Sequence, residues 1–329
     1  MGVSLTDVKG IGPATVEKLE KAGIKSVEQL ATLRKEELSK ILGVNLKQAG
    51  DIIQSAKQLA LDQLLEVYTA EDIKRYRQEN IKRIPTGCSA LDSVLKGGIP
   101  TMSITVLFGE YASGKTQLCK QLVVNCLKQL GRKAAWIETE PGTFIPERLE
   151  EMASAIGYQL DLNDIIVVPA RLIGTPYNLF LAYEMIEHKM QKLGLDVGLL
   201  VVDSFSAPFR KHYTGREQLP DRSAEISRHM GKLDILASKY NMAIVLTGQV
   251  GDIPDAGSQL HAVVKTGHRK NPVGGNVFLH SGTYLISLIK TKTDEWEACV
   301  FDAPDIPMTK VQFRITREGI RDVSRTRAR

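Results

Sequence analysis

The sequence predicts an α/β protein: a mostly parallel, twisted sheet flanked by helices and carrying a phosphate loop, behind a small all-helical N-terminal domain. Three observations predict it. The first ~60 residues show helical periods and no strand-like run. Beyond about residue 87, short apolar runs alternate with longer stretches of helical period, the pattern of a sheet with crossover helices. Between the first strong apolar run and the helix that follows lies Gly109-Glu110-Tyr111-Ala112-Ser113-Gly114-Lys115-Thr116, a G-x-x-x-x-G-K-T loop.

Taken in order, the chain opens with Gly10-Ile11-Gly12-Pro13-Ala14, a turn that leads into the helix-forming Thr15-Val16-Glu17-Lys18-Leu19. Such a turn presents backbone N–H groups at a helix start, where a DNA phosphate can be held. A looser echo follows at Leu42-Gly43-Val44-Asn45. A helical bundle for protein contacts is the competing reading of this domain. Residues 61–83 read as a helix running into a basic linker with Lys74, Arg75, Arg77, Lys82 and Arg83, broken by Ile84-Pro85-Thr86-Gly87. The expected organisation is therefore a domain at 1–62, a linker and polymerisation segment at 63–86, and a core at 87–329. In the core, residues 104–108 form the strand before the loop. Residues 117–130 form the helix after it, with Gly131 as its stop. Further strands are expected at 134–138, 165–168, 198–203, 243–248, 284–289, 299–302 and 311–316, and helices near 146–156, 176–193 and 220–240. The late strands lie so close together that they should extend the sheet antiparallel. The arginine-bearing residues 321–329 have no apolar period.

Composition limits the function classes. The chain has 329 residues, 43% hydrophobic and 25% charged, which is ordinary for a globular protein. No apolar run approaches the ~20 residues of a membrane span, and the N-terminus lacks a signal-peptide core. The four cysteines, Cys88, Cys119, Cys126 and Cys299, form no C-x-x-C pair, so reduced thiols and a cytoplasmic location are expected. A net charge of +5 permits a nucleic-acid partner without demanding one.

Four motifs carry chemistry. In the glycine-rich loop, backbone N–H groups cradle phosphates, Lys115 reaches the β- and γ-phosphates, and Thr116 offers a hydroxyl to Mg²⁺. Leu199-Leu200-Val201-Val202-Asp203 is a buried strand ending in an acid that can support the same metal. Trp136-Ile137-Glu138-Thr139-Glu140 ends a second strand in carboxylates; Glu140 is the candidate for activating water, with Glu138 the fallback. Leu246-Thr247-Gly248-Gln249 places an uncharged polar group where it can sense a γ-phosphate.

With Gly97-Gly98-Ile99-Pro100, Thr143-Phe144-Ile145-Pro146-Glu147-Arg148, Phe209-Arg210-Lys211 and Gly274-Gly275-Asn276 added in the right order, the chain resembles the RecA/RadA family. The N-terminal turn resembles the helix-hairpin-helix DNA binders, and together they resemble an archaeal RadA-type strand-exchange recombinase. The resemblance implies a RecA-like ATPase core that takes ATP and Mg²⁺, binds single- and double-stranded DNA and self-associates into a filament or ring. Nucleotide contacts would come from Gly109, Glu110, Ser113, Gly114, Lys115, Thr116, Gln117 and Arg148, the last beside the adenine. Asp302 and Pro307, in the Asp302-Ala303-Pro304-Asp305-Ile306-Pro307 segment, would cap the neighbouring subunit's ATP. Lys115, Glu140 and Gln249 would act in hydrolysis, and Thr116 and Asp203 would hold the metal. DNA would meet Gly10 and Gly12 in the hairpin and Arg210, Arg216 and Arg222 in a first loop. It would also meet Lys270, Gly274, Gly275 and Asn276 in a second, with His280 linking that loop to the nucleotide.

The chain departs from the family pattern in four places. The second DNA loop, 250–276, is longer than the family's and lacks its usual aromatic. Pro141 is inserted before Gly142, next to Glu140. Gly248 stands before Gln249 where the family has Asn. The polymerisation segment reads Val67-Tyr68-Thr69-Ala70, without the family's Phe. A regulatory paralogue with weak or no hydrolysis, and a ring-forming ATPase on the same core, compete with the recombinase reading.

Overall fold

The computed structural model describes residues 4–64, 68–252, 270–272 and 281–323. It divides into two units, Met1–Arg77 and Gln78–Arg329.

The first unit is helical: α1 (Pro13–Lys21), α2 (Val27–Ala31), α3 (Lys35–Leu42), α4 (Leu46–Leu64) and the start of α5 (Ala70–Asn80). Local chemistry sets these boundaries. Pro13 occupies the first turn of α1, where a missing N–H costs nothing. The Ser26 hydroxyl accepts from the Gln29 N–H to cap α2. Gly43 closes α3 in the left-handed conformation. Leu5, Val8, Leu19, Leu30, Leu38 and Ala56 make the core of this unit. The helix expected over 61–83 is interrupted. Thr69 starts α5 afresh, because its N–H and hydroxyl donate to the Asp72 carboxylate while its hydroxyl accepts from the Asp72 N–H. The span expected to be a linker thus holds α5 and the short β1 (Arg83–Ile84).

The second unit is built on a ten-stranded sheet. After α6 (Ser89–Val94) and β2 (Ile99–Pro100), which pairs with β1, come β3 (Ser103–Gly109) and α7 (Lys115–Asn125). A π-helical turn to Leu130 and left-handed Gly131 end the helix predicted over 117–130. Then follow β4 (Lys133–Glu138), α8 (Pro146–Ala155), β5 (Ile165–Val168), α9 (Pro176–Leu193), β6 (Val197–Asp203), α10 (Ser206–His212), α11 (Leu219–Lys239) and β7 (Ala243–Asp252). The chain closes with β8 (Lys270–Pro272), β9 (Tyr284–Lys292), β10 (Glu295–Asp302), β11 (Thr309–Thr316) and β12 (Gly319–Asp322).

The strand order is β12-β11-β10-β9-β3-β7-β6-β4-β5, with β8 on β7. Strands β9, β3, β7, β6, β4 and β5 pair in parallel, and β10 to β12 extend the sheet antiparallel, as the close spacing of the late strands predicts. Helices cover both faces. Leu107, Trp136, Val201 and Val245 face α7 and α8, while Val106, Ile137, Val202 and Leu246 face α9 to α11. Every residue of β3 and β6 is buried, which is why these strands read as continuous apolar runs rather than alternating ones. The tips of β3, β4, β6 and β7 consequently lie side by side, and their last residues are the ones singled out for chemistry. Among the described residues, no helix is long and apolar enough to cross a membrane. The four cysteines are free and buried.

Candidate active site

The turn between β3 and α7 is a phosphate cradle. Gly114 sits at φ +93°, a backbone angle that calls for glycine. Lys115 follows as the first residue of α7 and is 9% exposed. Its ammonium donates to Gly109 O (3.0 Å), Glu110 O (2.7 Å) and Ser113 Oγ (3.1 Å). Burial lowers its pKa, while the Asp203 carboxylate holds it up. A desolvated cation resting on its own loop is poised for an anion.

Beside it, Thr116 Oγ1 donates to Asp203 Oδ2 (2.7 Å) and Thr247 Oγ1 donates to Asp203 Oδ1 (2.5 Å). Asp203 is 3% exposed, and its peptide to Ser204 is cis. A hydroxyl and a carboxylate next to a phosphate cradle form a hard, all-oxygen donor set that suits Mg²⁺.

The two glutamates at the tip of β4 are distinct. Glu138 Oε1 accepts the N–H groups of Thr143 (2.9 Å) and Phe144 (3.2 Å), and its Oε2 accepts that of Ala170 (3.2 Å). It acts as a brace for two loops. Glu140 lines the cleft despite the inserted Pro141. Arg210 approaches Glu140 Oε1 at 3.6 Å and donates to Gln249 Oε1 at 2.8 Å. Arg210 is therefore turned toward the cleft, which departs from its expected place among free loop arginines. It lies in the last turn of α10, and helical side chains lean back toward the N-terminus, here toward the strand tips.

On the opposite side, Gln117 Oε1 accepts from Arg148 Nε (3.1 Å), and Arg148 also donates to Thr316 O (2.7 Å) and Arg317 O (2.5 Å). The resulting cleft of about 620 Å³ brings together Ser113, Gly114, Lys115, Thr116, Gln117, Glu140, Arg148, Asp203 and Gln249. Gly109 ends β3 at its base, and Glu110 is exposed on the loop. The cleft also includes Lys120, Thr247, Trp296, Ile315 and Arg317, which sequence reasoning missed. A lysine one turn beyond Thr116, between the apolar Cys119 and Leu122, is a visible signal for Lys120. Trp296 and Ile315 arrive from β10 and β11, and nothing local announces them.

Asp302 and Pro307 are exposed and do not line this cleft. Between them, Asp305 is fixed by Lys96 Nζ (2.9 Å) and the Tyr284 hydroxyl (3.0 Å). Gly10 and Gly12 lie in the turn before α1, with Gly10 at φ +91°. Arg216 opens a 3₁₀ turn, Arg222 is half-buried on α11, and Lys270 begins β8. Tyr68 and Ala70 are exposed. Val67, Gly274, Gly275, Asn276 and His280 lie outside the described residues.

A family model described as Rad51 matches residues 76–323, and one described as a SAM-like helix-hairpin-helix tandem matches residues 3–58. The first spans three-quarters of the chain and contains the whole cleft. The chain thus belongs to the Rad51 family of RecA/RadA-type recombinases, with an N-terminal helix-hairpin-helix domain.

Proposed function

We propose that this chain is an ATP-dependent DNA strand-exchange recombinase that assembles on single-stranded DNA. The observation that carries the reading is Arg210, which reaches both Glu140 and Gln249 from the helix that leads into the expected first DNA loop. One side chain thereby touches the proposed water-activating acid and the proposed γ-phosphate sensor. Lys115 and the loop amides hold the phosphates, Thr116 and Asp203 are the ligands for Mg²⁺, and Glu140 orients the attacking water. Mg²⁺, when bound, supplies charge neutralisation on the phosphate oxygens. Arg148, held flat by two carbonyls and Gln117, borders the base.

DNA is held through phosphates, so sequence is read by base pairing and not by the protein. Arg216 and Lys270 are assigned to it. Each alanine variant should flatten the log-affinity against log-salt slope by roughly 0.7 on single strands; an unchanged slope rejects the assignment. The Gly10–Gly12 turn is assigned to duplex capture. Self-association is assigned to Val67, Tyr68 and Ala70, with Asp302 and Pro307 capping the neighbour's nucleotide. Tyr177, Leu181 and Met185 stand at i, i+4 and i+8 on α9, each about half exposed, and offer an apolar face of the kind such contacts need.

The competing reading, a nucleotide-binding paralogue with slow hydrolysis, draws on the same Arg210, because the free protein holds Glu140 and Gln249 engaged. Electron microscopy with ATP and single-stranded DNA, paired with a strand-exchange assay, decides. Filaments that exchange strands support the recombinase. Filaments without exchange favour the paralogue, and closed rings favour a ring-forming ATPase.

A further inference from the structure

Helix α7 carries two lysines into one cleft, and they are treated differently by the protein. Lys115 is held by three oxygens. Lys120, one turn beyond Thr116, is 2% exposed and lines the same cleft, yet among the described residues its ammonium has no hydrogen-bond or ion-pair partner. Its stem leans toward the N-terminus of the helix, as helical side chains do, so the charge rises toward the level of Thr116 and Gln117.

The nearby acids are already committed. Asp203 has one oxygen engaged by Thr116 and the other by Thr247. Glu138 is engaged by three backbone N–H groups. Burial pushes the Lys120 pKa down, Asp203 offsets part of that from a distance, and Arg148 repels the charge. Burying an ammonium without a partner is costly, and such a group persists where a ligand supplies the missing acceptor. The walls around it are those of a phosphate cradle, and the anion that fits is a phosphate chain.

We propose that Lys120 is a second phosphate-binding cation of this cleft, which donates to a phosphate oxygen of a bound nucleoside di- or triphosphate from the Gln117 side. The proposal rests on the nucleotide reading of the cleft. It separates Lys120 from a structural lysine in a testable way. Without nucleotide the ammonium has no direct partner and burial outweighs the pull of Asp203, so removing it does not cost the fold stability; in the complex it is paired, so removing it weakens binding.

The test uses full-length protein and the variants Lys120→Met, which keeps the apolar stem, and Lys120→Gln, which keeps a neutral donor. Affinities for ADP and for adenosine are measured by displacement of a fluorescent ADP, with and without Mg²⁺, and thermal midpoints are measured without nucleotide. For Lys120→Met, ADP affinity should fall about tenfold, the scale of one charge-assisted hydrogen bond. Adenosine affinity should stay unchanged and the free-protein midpoint should not fall. Lys120→Gln should lie between Lys120→Met and wild type. Unchanged ADP affinity in folded Lys120→Met overturns the proposal, as does an equal loss for adenosine, which would mark a change in cleft shape. If wild type itself fails to bind ADP, the nucleotide reading of the cleft falls, and this proposal with it.

Discussion

Arg210→Met should release a restraint on hydrolysis. In the free protein the guanidinium donates to Gln249 Oε1 at 2.8 Å and stands 3.6 Å from Glu140 Oε1. A charge-assisted bond of that length is worth about 1 kcal/mol here, since the side chains of Arg210 and Glu140 are 37% and 34% exposed and water weakens what they share. The longer ion pair adds about 0.5 kcal/mol at most. Together they approach the ~1.4 kcal/mol that corresponds to a tenfold change in rate or population. While Arg210 holds them, Glu140 has fewer lone pairs to offer a water, and the Gln249 amide oxygen is already engaged. Phosphate release measured without DNA should therefore rise up to about tenfold in Arg210→Met, and stimulation by single-stranded DNA should shrink by a similar factor. High salt should narrow the gap between wild type and variant, because the ion-pair part is screened. A basal rate that falls in the variant would refute the reasoning, and would make Arg210 a donor to the transition state instead of a restraint.

Glu140→Gln should leave nucleotide binding and thermal stability near wild type while lowering turnover at least about a hundredfold. Glu138→Gln should instead lower stability by about 1–3 kcal/mol in urea unfolding, because three backbone N–H groups lose a charged acceptor. Gly98→Ala should abolish soluble expression or cost more than about 3 kcal/mol: at φ +121° an added Cβ overlaps the backbone of Ile84 and Pro85, which cannot yield without opening the β1–β2 pair. His229 is 0% exposed among Phe180, Phe205 and Phe209 and shares a hydrogen bond with the Tyr183 hydroxyl at Nδ1 (3.1 Å). Burial first, and Arg228 second, lower its pKa to about 3. A depressed folded-state pKa means that the unfolded chain takes the proton first, so His229 contributes stability above pH 6.5 that is lost as pH falls toward 3. Urea midpoints between pH 7 and 5 should decline in wild type and decline less in His229→Gln.

What was legible in the sequence was local. The phosphate loop is contiguous, so its strand, turn and helix could be read from neighbouring residues. The parallel strands announced themselves as apolar runs ending in Glu138 and Asp203. The distinction between Glu138 and Glu140 was not legible: two residues apart at one strand tip, they are separated by where Thr143, Phe144 and Ala170 bring their N–H groups. Arg210 looked like a loop cation because α10, seven residues directly after the Asp203 strand, is too short to show a helical period. The break before α5 was written in Thr69 and Asp72, but a basic polar stretch hid it. Lys120 was passed over because a lysine on a helix usually marks a solvated face, whereas α7 is buried on nearly every side.

The two acids of the cleft also differ in how firmly they are held, and this bears on control. The tips of β4, β6 and β7 are tied by side chains. Thr139 Oγ1 donates to Ser204 O and accepts the Ser204 N–H, both at 2.7 Å, and the Phe205 N–H donates to Thr247 O at 2.8 Å. Thr139, Ser204 and Thr247 are all buried, so this bracing is shielded from water. Asp203 sits inside it, held by the Thr116 and Thr247 hydroxyls. Glu140 lies just past Thr139, where the bracing ends, and among the described residues its ion-pair partner is the half-exposed Arg210. On the proposed roles, the acid assigned to the metal is fixed and the acid assigned to water is adjustable, so nucleotide binding would be set by the rigid part and the rate of hydrolysis would be open to whatever moves α10. A DNA phosphate approaching the segment after His212 attracts the same guanidinium that restrains Glu140. Under the proposed function, binding of the strand and release of Glu140 would then be two consequences of one side chain changing its partner.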